Sequence, residues 1–287
     1  MKRKFIFPPK ATMKPYLTTK DHAVSGEKFE LLYDEDLDML LTRPQPEDLA
    51  RYYQSDAYIS HTDANRSLVD KGYQAVKRFS LGNKLGLVAK HAKGDKTLLD
   101  FGAGTGDFLI EARQRGWEIF GVEPNLGARQ KALEKGVELL SEIPKGGPET
   151  YDVITLWHVL EHLPDLENQI NRLVTKLSQQ GTMFVAVPNF KSFDAKHYGA
   201  YWAAFDVPRH LWHFSKNAIE ILFERQGLKV VAIKPMVFDS FYVSMLSEQY
   251  KHGKTKYGKA FFIGLLSNIK AWRSKEYSSH IFILQHK

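Results

Sequence analysis

Asp100, Gly102, Gly104, Gly106 and Glu123 are the residues whose types and spacing best suit chemistry on a bound nucleoside. The run Asp100-Phe101-Gly102-Ala103-Gly104-Thr105-Gly106 follows a short apolar stretch, Thr97-Leu98-Leu99, and precedes a helical pattern from Asp107 to Ala112. That order reads as strand, Gly-rich turn, helix. Such a turn offers backbone N–H groups and a helix N-terminus to a ligand. The glycines admit close approach and supply φ angles that other residues resist. Seventeen residues past Gly106, a second apolar run (Trp117 to Val122) ends in Glu123, whose carboxylate suits two ribose hydroxyls.

Three nucleotide chemistries compete at this turn. A phosphate-cradling P-loop needs a Lys followed by Ser or Thr after the glycines, and none follows. The dinucleotide fingerprint G-x-G-x-x-G/A is met at Gly102 and Gly104 but has Asp107 in third place, where a carboxylate would point at a pyrophosphate. S-adenosylmethionine carries no phosphate but has an ammonium and a sulfonium, and Asp100 suits the ammonium. The string D-x-G-x-G-x-G resembles motif I of the class I S-adenosylmethionine-dependent methyltransferases. A Gly-rich turn without a ligand is the bland alternative.

The stretch Tyr151 to Asp165, reading Tyr-Asp-Val-Ile-Thr-Leu-Trp-His-Val-Leu-Glu-His-Leu-Pro-Asp, is the second signal. With motif I and Glu123-Pro124 it resembles the ubiquinone-pathway O-methyltransferases and the broad group around them, over roughly residues 50–234. The resemblance implies that Asp100, Gly102, Ala103, Gly104, Gly106, Glu123, Pro124 and Trp157 hold the donor, with Ser141 and Glu142 edging its adenine. It also implies a strand ending beside the methyl group, so His158 is a candidate base for the acceptor. His158-x-x-Glu161-His162 has the spacing of an inverted zincin motif, and a helix would put both imidazoles on one face. Some relatives carry Glu where this chain has His158. Mg²⁺ prefers oxygen ligands, which disfavours a magnesium-type site, and a metal site is the least favoured of the readings here. Bracing of the turn by Glu161 and His162 is the other reading.

Residues 189–214 are rich in aromatics, with Tyr198, Tyr201, Trp202, Arg209, His210, Trp212 and His213. The segment lies over the site in relatives, so His210 and His213 are further candidates for contact with a planar or lipid-like acceptor. A packed aromatic cluster explains the same residues.

The elements that must position these groups alternate. Strands at 97–101, 118–122, 137–140, 152–156, 182–187, 229–234 and 279–285 are separated by helical patterns. That predicts an α/β fold with a doubly wound, seven-stranded, mostly parallel sheet of the Rossmann-like kind. Residues 1–46 form an N-terminal, hairpin-like extension with one strand-like run at 29–33. The rest, 47–287, divides into a helical lead-in (47–95, with helices at 47–53 and 67–92), a donor-binding core (96–188), an acceptor loop with lid elements (189–278) and a last strand (279–287). The extension keeps the hydrophobic outline of the small zinc ribbon that opens many members of the group, without the cysteines. Zinc cannot then supply folding energy there.

The chain has 287 residues, 43% of them hydrophobic, and no cysteine. Disulfides and thiolate metal sites are excluded, and a cytoplasmic setting is expected. Met1-Lys2-Arg3-Lys4 is basic, but Phe5-Ile6-Phe7 stops at Pro8-Pro9, too short for a secretory signal. Residues 248–287 hold eight Lys or Arg against two Glu, most of the net charge of +7. A solvated face, with a lid helix over the acceptor pocket, is the expected arrangement; a basic surface meeting an anionic partner or a membrane is the alternative. Methyl transfer to a small-molecule or lipid-like acceptor, at oxygen, is the leading function. A nicotinamide (NAD) oxidoreductase and a non-catalytic donor-binding protein are the other two, and no nucleic-acid partner is expected.

Overall fold

The computed structural model describes residues 13–53, 68–94, 96–143 and 148–287. The basic N-terminal run and the polar loop at 144–147 lie outside these. Two compact units are present: Gln54–Val187 with Phe223–Lys234 and Ile281–Lys287, and Met1–Tyr53 with Pro188–Leu222 and Pro235–His280.

The first unit is the α/β layer. Helix α1 (Leu68–His91) precedes strand β4 (Thr97–Phe101), helix α2 (Asp107–Gln114), strand β5 (Glu118–Val122), helix α3 (Leu126–Glu134), strand β6 (Tyr151–Trp157), helix α4 (Leu166–Val174) and strand β7 (Leu177–Pro188). Strands β9 (Leu228–Pro235) and β10 (Ser279–His286) complete a mixed sheet in the order β5-β4-β6-β7-β10-β9. The neighbours β4–β5, β4–β6 and β6–β7 run parallel. The strands β4, β6 and β7 read as near-continuous apolar runs because helices cover both faces of such a sheet. Helix α4 shows the matching pattern, burying Leu166, Ile170, Leu173 and Val174 on one face.

The sheet has six strands, not the seven expected. The stretch 137–140 makes a single bridge, Val122 to Leu140, at the β5 edge. The last strand lies between β7 and β9. Helix α1 runs through Gly82 without the break expected there.

The second unit replaces an irregular N-terminus with a sheet. Strands β1 (Met13–Lys20), β2 (Lys28–Asp34) and β3 (Met39–Arg43) are joined by β8 (Trp212–Phe214) in a four-stranded antiparallel sheet. Only a short 3-10 turn, Ala50–Tyr53, forms where a helix was expected at 47–53. Asp21 ties the β1–β2 turn together. Its carboxylate accepts from the amides of Ala23, Val24 and Ser25 at 3.0, 3.1 and 2.8 Å. It also accepts from the buried guanidinium of Arg209 at 2.9 Å, which pairs with Asp206 as well. Phe29, Leu31, Tyr52, Tyr198, Trp202 and Phe205 pack beside this network. Helices α5 (Phe193–Tyr198), α6 (Lys216–Glu224), α7 (Asp239–His252) and α8 (Tyr257–Ser274) complete the chain. No helix among the described residues is long and apolar enough to cross a membrane.

Candidate active site

Strand order reverses between β4 and β6, the place where ligands enter open α/β sheets. Asp100 and Thr155 are register partners there, next to the ends of their strands. Asp100 is 2% exposed. Thr155 Oγ1 donates to its Oδ1 at 2.6 Å. Burial, reinforced by the charge of Glu123, pushes the Asp100 carboxyl up to about 7, against the opposing pull of the Thr155 hydrogen bond and the Lys84 ammonium. A carboxylate this costly to keep charged gains from a cationic partner.

The turn after β4 wraps back on β5. The amides of Gly102 and Ala103 both donate to the carbonyl of Val122, at 2.7 and 2.9 Å. Gly102 has φ +79°, and a Cβ there would stand 2.4 Å from Val159 Cγ2, so any side chain collides with the turn after β6. Gly104 has φ +56° and nothing within 4 Å of its absent Cβ. That is an open cradle at the backbone. Gly106, also at positive φ, is the N-cap of α2.

Glu123 closes the cradle. Its Oε2 accepts from Gly104 N and its Oε1 from Asn125 N, both at 2.9 Å. Each carboxylate oxygen keeps a second acceptor direction for a ligand hydroxyl. Burial raises the Glu123 carboxyl, and the two amides oppose that shift. Pro124 is exposed, and its carbonyl accepts from Arg129. Ser141 and Glu142 form an exposed bend, held beside Glu123 by its amide donating to Leu140 O at 2.8 Å. Asp107 pairs with Lys135 at 3.0 Å, so its charge is balanced locally.

Trp157 ends β6. Phe108 meets its ring edge-on at 5.3 Å, and Lys84 Nζ stands over it at 4.5 Å. Its buried Nε1 has no hydrogen-bond acceptor among the described residues. His158 follows with φ +59°, strained for a residue with a Cβ, held by its amide donating to Ala186 O at 3.0 Å. Its Nδ1 lies 3.4 Å from Oε1 of the buried Glu161. Leu160–His162 is a 3-10 turn, not the α-helix that an inverted zincin motif requires.

The sequence singles out Asp100, the three glycines, Glu123, Trp157 and His158, all of which lie in the α/β unit. It misses Thr155, Val159 and Lys84. A hydroxyl inside the apolar run Val153-Ile154-Thr155-Leu156 is a readable signal; Lys84 has none. His210 and His213 belong to the second unit. His213 is buried, with Nε2 3.0 Å from Thr42 Oγ1, and burial together with the charge of His210 lowers its imidazole far below the usual range. His210 Nδ1 lies 2.9 Å from Ala204 O.

These features define a nucleoside site of the methyltransferase kind, and comparison with known proteins agrees. The chain belongs to the family described as the methyltransferase domain, which matches residues 74–233, and it is an S-adenosylmethionine-dependent methyltransferase. It is 29% identical over 171 residues to the ubiquinone biosynthesis O-methyltransferase of Aeromonas salmonicida, covering 55% of this chain and 71% of that protein. It is 30% identical over 198 residues to the C-methyltransferase NovU of Streptomyces niveus, covering 64% of this chain and 41% of that one. It spans about half the length of several other curated relatives. The magnesium protoporphyrin IX methyltransferase of Synechocystis PCC 6803 shares the fold, with TM-score 0.52, 13% identity, and coverage of 83% of this chain and 92% of that one.

The residues present fit the donor. The open space over Gly104, the Glu123 oxygens, the Trp157 N–H and the buried Asp100 carboxylate are groups of the kind that a ligand with hydroxyls and an ammonium would need.

Proposed function

We propose that this protein methylates an oxygen of a small-molecule or lipid-like acceptor, with His158 as the base. The arrangement of His158 carries the reading. It follows β6 directly, its side chain is one-third exposed, and Glu161 faces its Nδ1. A carboxylate in that position fixes the tautomer and favours the protonated ring, leaving Nε2 to take a proton from an acceptor hydroxyl. Asp100 holds the donor's ammonium and Glu123 its ribose. Gly102, Ala103, Gly104 and Gly106 bring the backbone close, and Pro124, Ser141 and Glu142 border the adenine. Trp157 walls the pocket, and Lys84 stands where a carboxylate of the donor would be neutralised. The donor supplies an electrophilic methyl on a sulfonium. What remains for the protein is proximity, in-line placement and removal of the acceptor's proton. His213, buried with its Nε2 3.0 Å from Thr42 Oγ1, has a structural place in the second unit instead of the acceptor contact expected of it.

The NovU relative favours a second reading, transfer to carbon, in which the same base takes a proton from an activated C–H. Incubation with methyl-labelled donor and a cell metabolite and lipid extract tests both. A labelled product that loses its methyl as a methoxyl fragment supports oxygen. A carbon-bound label supports the second reading. Donor binding without any labelled product, across extracts, rejects both in favour of a non-catalytic donor-binding protein.

A further inference from the structure

Helix α8 is built inside out. Its buried face is mostly small: Ala260, Gly264, Ser267 and Ala271, with Ile263 the one large apolar side chain, and Ser267 Oγ donates to Asp194 of α5 at 2.7 Å. A Cβ on Gly264 would stand 3.0 Å from Phe241 Cα and 3.1 Å from Phe241 N, so the two backbones meet there. The opposite face carries large side chains. Tyr257, Phe261, Phe262, Leu265, Ile269 and Trp272 are all exposed, Phe262 by 61% and Trp272 by 75%. With 3.6 residues per turn they fall within an arc of roughly 140°. Phe261 stacks on Phe241 at 5.3 Å, and Phe238 and Tyr242 add exposed aromatic surface at the start of α7. A surface helix of a globular protein ordinarily turns its large apolar residues inward. A continuous exposed apolar face of this kind marks an interaction site.

Charge identifies the occupant. Residues 249–275 hold seven Lys or Arg and no carboxylate. Lys259 pairs with buried Glu248, and Lys270 lies over Phe193. The other five bracket the apolar face: exposed Lys251, Lys254 and Lys256 before α8, Arg273 and Lys275 at its end. A second copy docked face to face would set cations against cations, which is costly.

We propose that the outer face of α8 docks on the surface of an anionic lipid bilayer. The aromatic side chains enter the headgroup–acyl boundary and the five cations meet lipid phosphates. The inference stands apart from the methyl-transfer reading.

Flotation with phosphatidylglycerol–phosphatidylcholine vesicles, and with phosphatidylcholine alone, tests it on the full chain. Wild type should float with the anionic vesicles, less so as salt rises, and Trp272 emission should be quenched by brominated acyl chains. Phe262→Ser with Trp272→Ser should weaken binding at least tenfold. Lys251→Gln, Lys254→Gln and Lys256→Gln together should weaken it on the order of a hundredfold. All five positions are exposed, and unchanged thermal melts will show that the variants fold. No flotation of wild type at low salt overturns the proposal, as does flotation equal in every variant. A wild-type dimer that Trp272→Ser dissociates, without vesicle binding, assigns the face to a second copy and also overturns it.

Discussion

Nδ1 of His158 lies 3.4 Å from Oε1 of Glu161, a side chain only 1% exposed. The pair sits in a turn whose backbone is strained at its first residue, with His158 at φ +59°. Removing the imidazole should therefore affect turnover and not donor affinity. For His158→Ala we expect kcat to fall by about 10²–10⁴ with the donor Kd unchanged within a fewfold. Glu161→Gln should move the acid limb of the pH–rate profile to lower pH, because the charge that favours the imidazolium is gone. A His158→Ala enzyme of near-normal kcat would place the base elsewhere.

Asp100 should make donor affinity depend on pH. Burial lifts its carboxyl to about 7, so the charged form that holds an ammonium is fully present only above that value. Binding should strengthen as pH rises from 6 to 8. The free protein carries the opposite trend. A folded-state value raised above the unfolded one contributes stability that is complete below about pH 4 and is lost as pH rises through about 7. Asp100→Asn should flatten both curves, as calorimetry and thermal melts across that range will show.

Glu123→Ala should weaken donor binding by roughly ten- to a hundredfold, at about 1.5–3 kcal/mol for each charged hydrogen bond lost. Glu123→Gln should fall between, since one oxygen remains to accept. The loss has two sources. The side chain faces the ligand, and it also ties the Gly104 amide to the β5 end. Isothermal titration with S-adenosylhomocysteine measures the first, and amide exchange at Gly104 reports the second.

Gly102 and Val159 form a testable pair. Gly102→Ala sets a Cβ against Val159 and strains φ, which should cost about 1–3 kcal/mol of stability. Adding Val159→Ala should recover the steric part and leave the φ strain. Urea unfolding of the two single variants and the double variant closes the cycle; strict additivity would show that the collision is relieved some other way.

The second unit should be acid-sensitive through His213. Its imidazole refuses a proton in the folded state while the unfolded chain takes one near pH 6.5. Stability is therefore present above about pH 6.5 and lost as pH falls. His280, lowered by burial to about 4, acts in the same direction. His213→Gln can keep the Thr42 contact without titrating. Its Tm should drop less than that of wild type between pH 7 and pH 5.

Much of this protein is determined locally, and so is legible in the chain itself. Asp100 and the three glycines specify a strand, a positive-φ turn and a helix start within one short stretch. Glu123 ends the next apolar run, and its carboxylate accepts from the Gly104 amide of that turn. The strand β6 and its His158 follow from an apolar run of seven residues. Each of these signals is a run or a spacing, and the backbone answers to it directly. The structure decided what depends on distant partners. Leu140 makes one bridge where a seventh strand was expected, because pairing at a sheet edge is set by neighbours and not by β-propensity. The short strand Trp212–Phe214 completes a sheet with residues 13–43, and no periodicity within either segment announces the other. Asp21 and Arg209, 188 positions apart, form a buried ion pair that no local pattern announces. The orientation of α8 is the sharpest case. Its composition fits a buried helix as well as an exposed one, and the inward packing of Ile263, the close approach of Gly264 to Phe241 and the Ser267–Asp194 hydrogen bond leave the aromatic side outward.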